Sequence, residues 1–309
     1  MRALVTGGTG FVGPRLLAGL EKPVVLSRRP DAAREKLKIP GADYYAWDPE
    51  KERPPAKAFE GVDVVYHLAG EPVAEGRWSE EKKARIRESR VTGTRHLVET
   101  LRELPVKPRS LVSCSAVGVY GARGEEKLTE ESGPPSNLQD DFLAQVCVDW
   151  ERAALPAEEL GIRVVMPRVG IVLGEDGGAL GQMLPPFRWG FGSPLGGGDQ
   201  YMPWIHITDL VNLFRFAGET ESLRGPVNAV APNPVMNRDF TAVLGRVLGR
   251  WTLPIPVPSF MLYLMLGGFA QVLLASQRVL PKKALEAGFK FRFDDLEAAL
   301  RDILVEKSK

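Results

Sequence analysis

Thr6-Gly7-Gly8-Thr9-Gly10-Phe11-Val12-Gly13, directly after Arg2-Ala3-Leu4-Val5, is the stretch whose reading decides the fold. A short β-rich run ends in a turn with G-x-x-G-x-x-G spacing and passes at once into a helical pattern that runs to about Gly19. Gly7 permits the tight turn, Gly10 lets backbone N–H groups approach a pyrophosphate, and Gly13 lets helix and strand pack closely. The helix N-terminus then offers orphan donors and a positive dipole end to phosphate. Glycines alone often mark plain turns, but a strand before and a helix after are the setting that gives this spacing its meaning. Gly7, Thr9, Gly10, Phe11 and Val12 are therefore expected against a bound dinucleotide.

Outward from that turn, residues 23–27, 42–46 and 62–69 read as strands. The last is apolar at nearly every position, as a strand covered on both faces should be. Residues 80–104 read as a long helix that opens on Glu80-Glu81-Lys82-Lys83. Residues 110–115 form a fifth strand, 140–160 a helix, and 162–173 a sixth strand with its continuation. Such alternation implies an α/β fold with a doubly wound parallel sheet. Residues 177–198, rich in Gly, Pro and aromatics, predict a long structured loop over a pocket, within a segment spanning 174–203. Residues 204–217 return to strand then helix, and a smaller α+β lobe follows from about 225, ending in a helix over 294–304. Two units are expected, 1–225 and 226–309, the second a substrate or interaction lobe.

The 309 residues are 44% apolar and 26% charged, an ordinary globular make-up. Forty Lys and Arg against 39 Asp and Glu leave a net charge of +1, which argues against nucleic acid as a partner. Cys114 and Cys147 have neither C-x-x-C nor His spacing. They read as reduced core thiols of a cytoplasmic protein, with no metal site. The chain starts at once on a strand pattern, without signal-peptide anatomy. Residues 251–277 carry no charge, and 260–275 are almost all apolar. A membrane helix needs about 20 such residues. This run opens with Pro254, Pro256 and Pro258 and is broken by Gly267, Gly268 and Gln271. It reads as a buried or partner-facing helix, not a span, and leaves a homodimer open.

The end of the second strand selects the cofactor. An NAD site places Asp or Glu there for the ribose 2′-hydroxyl. Here the sequence is Val25-Leu26-Ser27-Arg28-Arg29. Arginine cannot accept from a hydroxyl but pairs strongly with a 2′-phosphate, and the Ser27 hydroxyl adds a donor. NADP(H) is the expected cofactor.

Four further segments carry a family resemblance: Val64-Val65-Tyr66-His67-Leu68-Ala69-Gly70, residues 113–121 (SCSAVGVYG), residues 167–174 (PRVGIVLG) and residues 204–210 (WIHITDL). With the glycine turn they resemble the extended short-chain dehydrogenase/reductase superfamily over nearly the whole chain. Residues 177–180 through 203–206, and 280–289, resemble more narrowly its "epimerase family protein" branch, which ends in a C-terminal domain of unknown function. The resemblance implies a Rossmann sheet and an oxidoreductase or epimerase acting on a small carbonyl, alcohol or nucleotide-sugar substrate. It would set Leu68, Ala69 and Gly70 beside the adenosine and pyrophosphate, and Asp48 near the adenine. Arg90 would approach the cofactor across the sheet edge, with Val172 at the nicotinamide end. Core packing would equally explain Leu68 and Val172, and an exposed helix charge Arg90.

The superfamily's catalysis uses a Ser or Thr that orients a substrate oxygen, with a Tyr of Y-x-x-x-K as acid/base beside its Lys. Ser115 suits the first role. No tyrosine is followed four residues later by lysine. Where the motif belongs, the chain reads Leu143 and Cys147. Three readings compete. Tyr120 supplies the proton, His206 or Asp209 does, or the protein binds NADP(H) without turnover, as a sensor or regulator.

Overall fold

The computed structural model describes residues 1–175 and 177–305. Asp176 of the expected pocket loop and residues 306–309 of the expected lobe lie outside the described residues. The first half alternates as its pattern demands: β1 (Ala3–Thr6), α1 (Gly13–Leu17), β2 (Val24–Ser27), α2 (Pro30–Leu37), β3 (Asp43–Ala46), β4 (Val64–His67), α3 (Glu80–Glu103), β5 (Ser110–Ser113) and β6 (Ser115–Ala116). Ser79 caps α3 by accepting from Lys82 N at 3.2 Å. Leu104, extended ahead of Pro105, ends it. After β7 (Lys127–Leu128) comes α4 (Phe142–Ala154), capped by Asp141 through Ala144 N at 3.0 Å. The helix expected over 140–160 stops there, because Pro156 lacks the N–H that an α-helix would use, and residues 155–160 tighten into a 3₁₀ turn.

The sheet continues with β8 (Arg163–Val169) and, after β9 (Ile171–Leu173), α5 (Gly178–Arg188), β10 (Tyr201–Met202), β11 (Trp204–His206) and α6 (Ile207–Glu219), closes with β12 (Gly225–Ala229). Its order is β12-β8-β5-β4-β1-β2-β3, with β6 extending the β8 edge, and every pairing is parallel. This is the doubly wound Rossmann arrangement, whose ligand crevice opens beyond the carboxyl ends of β1 and β4. Apolar side chains cover both faces: Ala3, Val5 and Tyr66 pack toward α6, while Leu4, Val65 and Leu111 pack toward α3.

Three expectations change. The sixth strand does not run on to 173: Gly170 donates to Ala229 O in the main sheet, and Ile171 donates instead to Pro203 O. β9 thus leaves to pair with β11. The expected pocket loop contains α5, whose Leu180, Leu184 and Phe187 recur at helical spacing and bury against Phe240 and Leu300. Burial of that stripe outweighs its poor helix composition. A division at 225/226 also cuts β12, an edge strand of the main sheet, and separates α5 from the elements it packs on.

The smaller lobe adds β13 (Val235–Met236), α7 (Asn237–Leu248), α8 (Ser259–Leu266), α9 (Ala270–Leu274), β14 (Arg278–Val279), α10 (Lys282–Glu286) and α11 (Leu296–Leu304). β14 pairs with β7, and Gln277 Nε2 donates to Val117 O at 3.0 Å and Gly121 O at 2.9 Å, tying the lobe to the sheet's carboxyl edge. Of the two readings of the uncharged run, buried or partner-facing, the buried one does not hold. Gly267 breaks it at φ +59°, and Leu262 is the sole buried residue of α8. Among the described residues no helix is long and apolar enough to cross a membrane.

Candidate functional site

The crevice is built first by backbone fit. Gly7 turns at φ +69°, and a Cβ there would stand 2.7 Å from Leu68 C, so only glycine lets the β1 and β4 ends meet. A Cβ on Gly13 would lie 2.5 Å from Gly8 C, which is why α1 starts so close behind the turn. Gly10 N–H donates to Gly7 O at 3.1 Å. Phe11 packs its ring against Gly174, Gly177 and Gly178, and Val172 O borders the same recess. Val12 packs on the main core. Lys36 Nζ donates to Thr9 O at 2.9 Å, holding the turn to α2.

Beneath the turn lies a closed hydrogen-bond chain. Thr6 Oγ1 accepts from Leu68 N and Ala69 N, each at 3.1 Å, so its own hydrogen goes to His67 Nδ1 at 2.7 Å. His67 Nε2 then donates to Thr94 Oγ1 at 3.0 Å, which also accepts from Trp150 Nε1 and donates to Arg90 O at 2.6 Å. Every hydrogen is used once, which requires neutral His67, and burial pushes its pKa down to about 4. The chain fixes β4, α3 and α4 around Leu68, Ala69 and Gly70.

Arg90 is not an exposed helix charge. Its guanidinium stacks over Trp150, lies against Gly70, and donates to the backbone carbonyls of Glu71 (2.9 Å) and Ile86 (3.2 Å). Among the described residues no carboxylate pairs with it. Burial lowers its pKa. At the end of β2, Ser27 Oγ accepts from Arg29 N at 3.2 Å, and Arg28 is exposed without an ion pair among the described residues. Asp48 accepts from Glu50 N at 3.2 Å and pairs with Lys51 at 3.3 Å.

Ser115 and Tyr120 meet in a buried network that the sequence did not reveal. Ser115 Oγ donates to Glu151 Oε1 at 2.8 Å, and Arg168 grips both oxygens of Glu151, each at 2.8 Å. Burial disfavours the Arg168 charge, yet its hydrogen bonds to Glu151 and the charge of Glu151 outweigh this and raise its pKa. Arg168 Nη1 also donates to the Tyr120 hydroxyl at 2.8 Å, and that hydroxyl donates to Asn228 Oδ1 at 2.7 Å, with Thr129 O at 3.0 Å. Tyr120 is 0% exposed, and burial raises its pKa despite Arg168. Its hydroxyl is engaged in the frame and turned away from solvent. The readable signal was Arg168 itself, a charge near the carboxyl end of a strand whose interior is apolar. Glu151 and Asn228 come from distant elements and left none.

Leu143 and Cys147 face the backbone of Gly118, just beyond Ser115, with Cys147 Sγ 3.5 Å from where a Gly118 Cβ would stand. Burial pushes both the Cys114 and Cys147 thiols up to about 12. His206 and Asp209 are structural. His206 Nδ1 accepts from Thr208 N at 3.1 Å and caps α6, its Nε2 lies 3.3 Å from Asp302, and its ring stacks on Phe293. Asp209 accepts from Arg292 N and Phe293 N, both at 2.9 Å, and burial raises its pKa. Both residues hold the C-terminal segment against α6.

Residues 3–229 match the family described as NAD dependent epimerase/dehydratase, and residues 257–303 match a domain of unknown function, DUF1731. The Bacillus subtilis epimerase family protein YfhF is 36% identical, the match covering 99% of each chain. A chloroplastic Arabidopsis thaliana epimerase family protein is 40% identical over 98% of this chain and 87% of its own. The crystal structure of human epimerase family protein SDR39U1 (isoform 2) with NADPH superposes at TM-score 0.84, with 34% identity, over 98% of this chain and 99% of that one.

Proposed function

The chain belongs to the NAD dependent epimerase/dehydratase family, and from that premise we propose that it binds NADP(H) in the crevice beyond β1, β2 and β4 and performs slow oxidoreductase or epimerase chemistry. The observation that carries the cofactor assignment is the pair of guanidiniums at the crevice, Arg28 and Arg90, neither matched by a carboxylate ion pair among the described residues. For Arg90, partly buried, a cation without a counter-ion is costly unless an anion completes it, whereas Arg28 stands in solvent, open to an incoming phosphate. The glycine turn has the backbone closeness a pyrophosphate requires, so the residues fit a dinucleotide. A related structure, that of human SDR39U1, holds NADPH.

In this reading Gly7, Thr9, Gly10, Phe11 and Val12 cradle the pyrophosphate side. Ser27 and Arg28 take the 2′-phosphate, and Asp48 lies near the adenine. Leu68, Ala69 and Gly70 with Arg90 flank the phosphates and ribose, and Val172 backs the nicotinamide end. When bound, the nicotinamide supplies or takes a hydride at a carbon bearing oxygen. Ser115 orients that oxygen. Because the Ser115 hydrogen is already committed to Glu151, the Ser115 oxygen is free to accept a proton from a substrate hydroxyl, with Glu151 as the receiving carboxylate. Tyr120 positions Arg168, which grips both oxygens of Glu151.

Calorimetry tests the assignment. NADPH is expected to bind at least about tenfold tighter than NADH, a difference of about 1.4 kcal/mol. Arg28→Ala should erase most of that preference without unfolding the protein. Equal affinities in the unaltered chain would overturn the roles of Ser27 and Arg28. Glu151→Gln should leave NADPH affinity in place and slow whatever NADPH consumption a panel of carbonyl substrates reveals.

A further inference from the structure

Among the described residues, eleven of the sixteen exposed large hydrophobic side chains lie in two stretches, 189–191 and 251–272. Trp251 is 91% exposed, Trp189 79%, Leu264 73% and Phe260 70%. Clusters of this kind mark an interaction surface, whereas single exposed apolar residues do not.

The two stretches are neighbours in space. Thr252 and Val257 bridge to Gly192 and Leu195, and Leu253 N donates to Gly192 O at 2.7 Å. Ser193 Oγ donates to Ile255 O at 2.6 Å. Pro258 leads straight into α8, and Ser259 and Leu274 lie against Gly196.

In and directly beside these two stretches every charge is positive, while exposed Glu75 and Glu80 lie near Arg77 in sequence. From Phe240 to Leu285 the sequence contains no Asp or Glu, and residues 177–198 contain none either. Arg188 and Arg250 stand exposed beside Trp189 and Trp251, and exposed Arg77 reaches to Gly267 at the end of α8. None of the three guanidiniums has an ion-pair partner among the described residues.

We infer that this face docks the protein on an anionic lipid surface. Tryptophan tips suit the bilayer interface, and arginines beside them suit acidic headgroups. In α8, Phe260, Met261, Tyr263, Leu264 and Met265 are all exposed, so the helix is apolar on most of its circumference. Such a helix has no single face to match a rigid protein, but a fluid acyl phase accepts it without shape matching. A second copy is a poor occupant. A two-fold contact lays the patch on itself and brings the unpaired Arg188 and Arg250, whose stretches hold no carboxylate, toward their own copies.

Vesicle flotation of the intact chain tests this, with phosphatidylcholine alone and with phosphatidylcholine mixed with phosphatidylserine. Binding is expected with the anionic mixture, weaker without phosphatidylserine, and reversed by added salt. Arg188→Gln and Arg250→Gln should each weaken binding about fivefold. The double change Leu264→Gln, Met265→Gln should reduce it at least about tenfold while the melting temperature holds, because both side chains already face solvent. Four results would overturn the inference: no flotation with either vesicle, equal flotation with both, flotation indifferent to these substitutions, or a concentration-dependent dimer that the double change dissolves in a chain that ignores vesicles.

Discussion

Removing one oxygen, Tyr120→Phe, separates a proton-donating phenol from a positioning one. In the fold that hydroxyl accepts from Arg168 Nη1 at 2.8 Å and donates to Asn228 Oδ1 at 2.7 Å, so its loss strands one buried donor and one buried acceptor. Arg168 keeps its fork on Glu151, and Asn228 keeps its bond to Leu280 O at 2.9 Å. Each stranded group should therefore cost about 1–2 kcal/mol, or about 2–4 kcal/mol together. At about 2 °C per kcal/mol for a chain of this size, the melting temperature falls by about 4–8 °C. Thermal melting followed by circular dichroism reads the stability, and calorimetry with NADPH reads the binding. A substrate panel monitored for NADPH loss reads any chemistry. The expected result is a clear loss of stability, unchanged cofactor affinity, and turnover reduced only as far as Arg168 and Glu151 lose their set. An unshifted melting temperature with turnover cut at least about tenfold, the range for a lost general acid, would refute this reasoning and restore Tyr120 as proton donor.

The remaining predictions concern titration and reactivity. His67 has a folded pKa of about 4 against an ordinary 6.5, so below pH 6.5 the unfolded chain takes up a proton that the folded chain refuses. Stability should be full above that pH and fall by about 3 kcal/mol as pH drops from 6.5 to 4. Denaturant melts across that range check this, and a flat profile, or the same slope in a folded His67→Gln chain, would refute it. Cys114 and Cys147, with thiols pushed up to about 12, should resist iodoacetamide in the native chain at neutral pH and react once unfolded. Rapid native labelling would show that burial does not protect them.

The Rossmann half was legible because its signals are local. The glycine turn and the apolar β4 each lie in a few consecutive residues. Elements decided by distant partners were not legible. α5 hides behind Gly177, Gly178, Pro185 and Pro186, and only packing of Leu180, Leu184 and Phe187 on α7 and α11 makes it a helix. The departure of β9 turns on where a single N–H, that of Ile171, finds its acceptor. At the candidate site, the sequence singled out Ser115 and Arg90 but not the residues they bond. Ser115 answers to Glu151, 36 positions away, and Tyr120 to Asn228, 108 positions away, separations over which no spacing rule speaks.

Charge at this site is divided between two guanidiniums with different duties. Arg168 is neutralised by Glu151 and spends its remaining donor on Tyr120, so it adds little net field to the crevice. Arg90 keeps its charge without a carboxylate and stands by Gly70, where phosphates are expected. In a Tyr-Lys site a single lysine both contacts the cofactor and lowers the phenol pKa; here Cys147 occupies that place as a neutral thiol. In the proposed reading the positive charge that remains serves anion binding, while proton handling falls to a serine and a carboxylate already held in an ion pair. A buried neutral thiol in the lysine's place supplies neither a charge nor a ready proton. Firm cofactor binding and slow chemistry then follow from the same placement of charges, and the first need not decline when the second is removed.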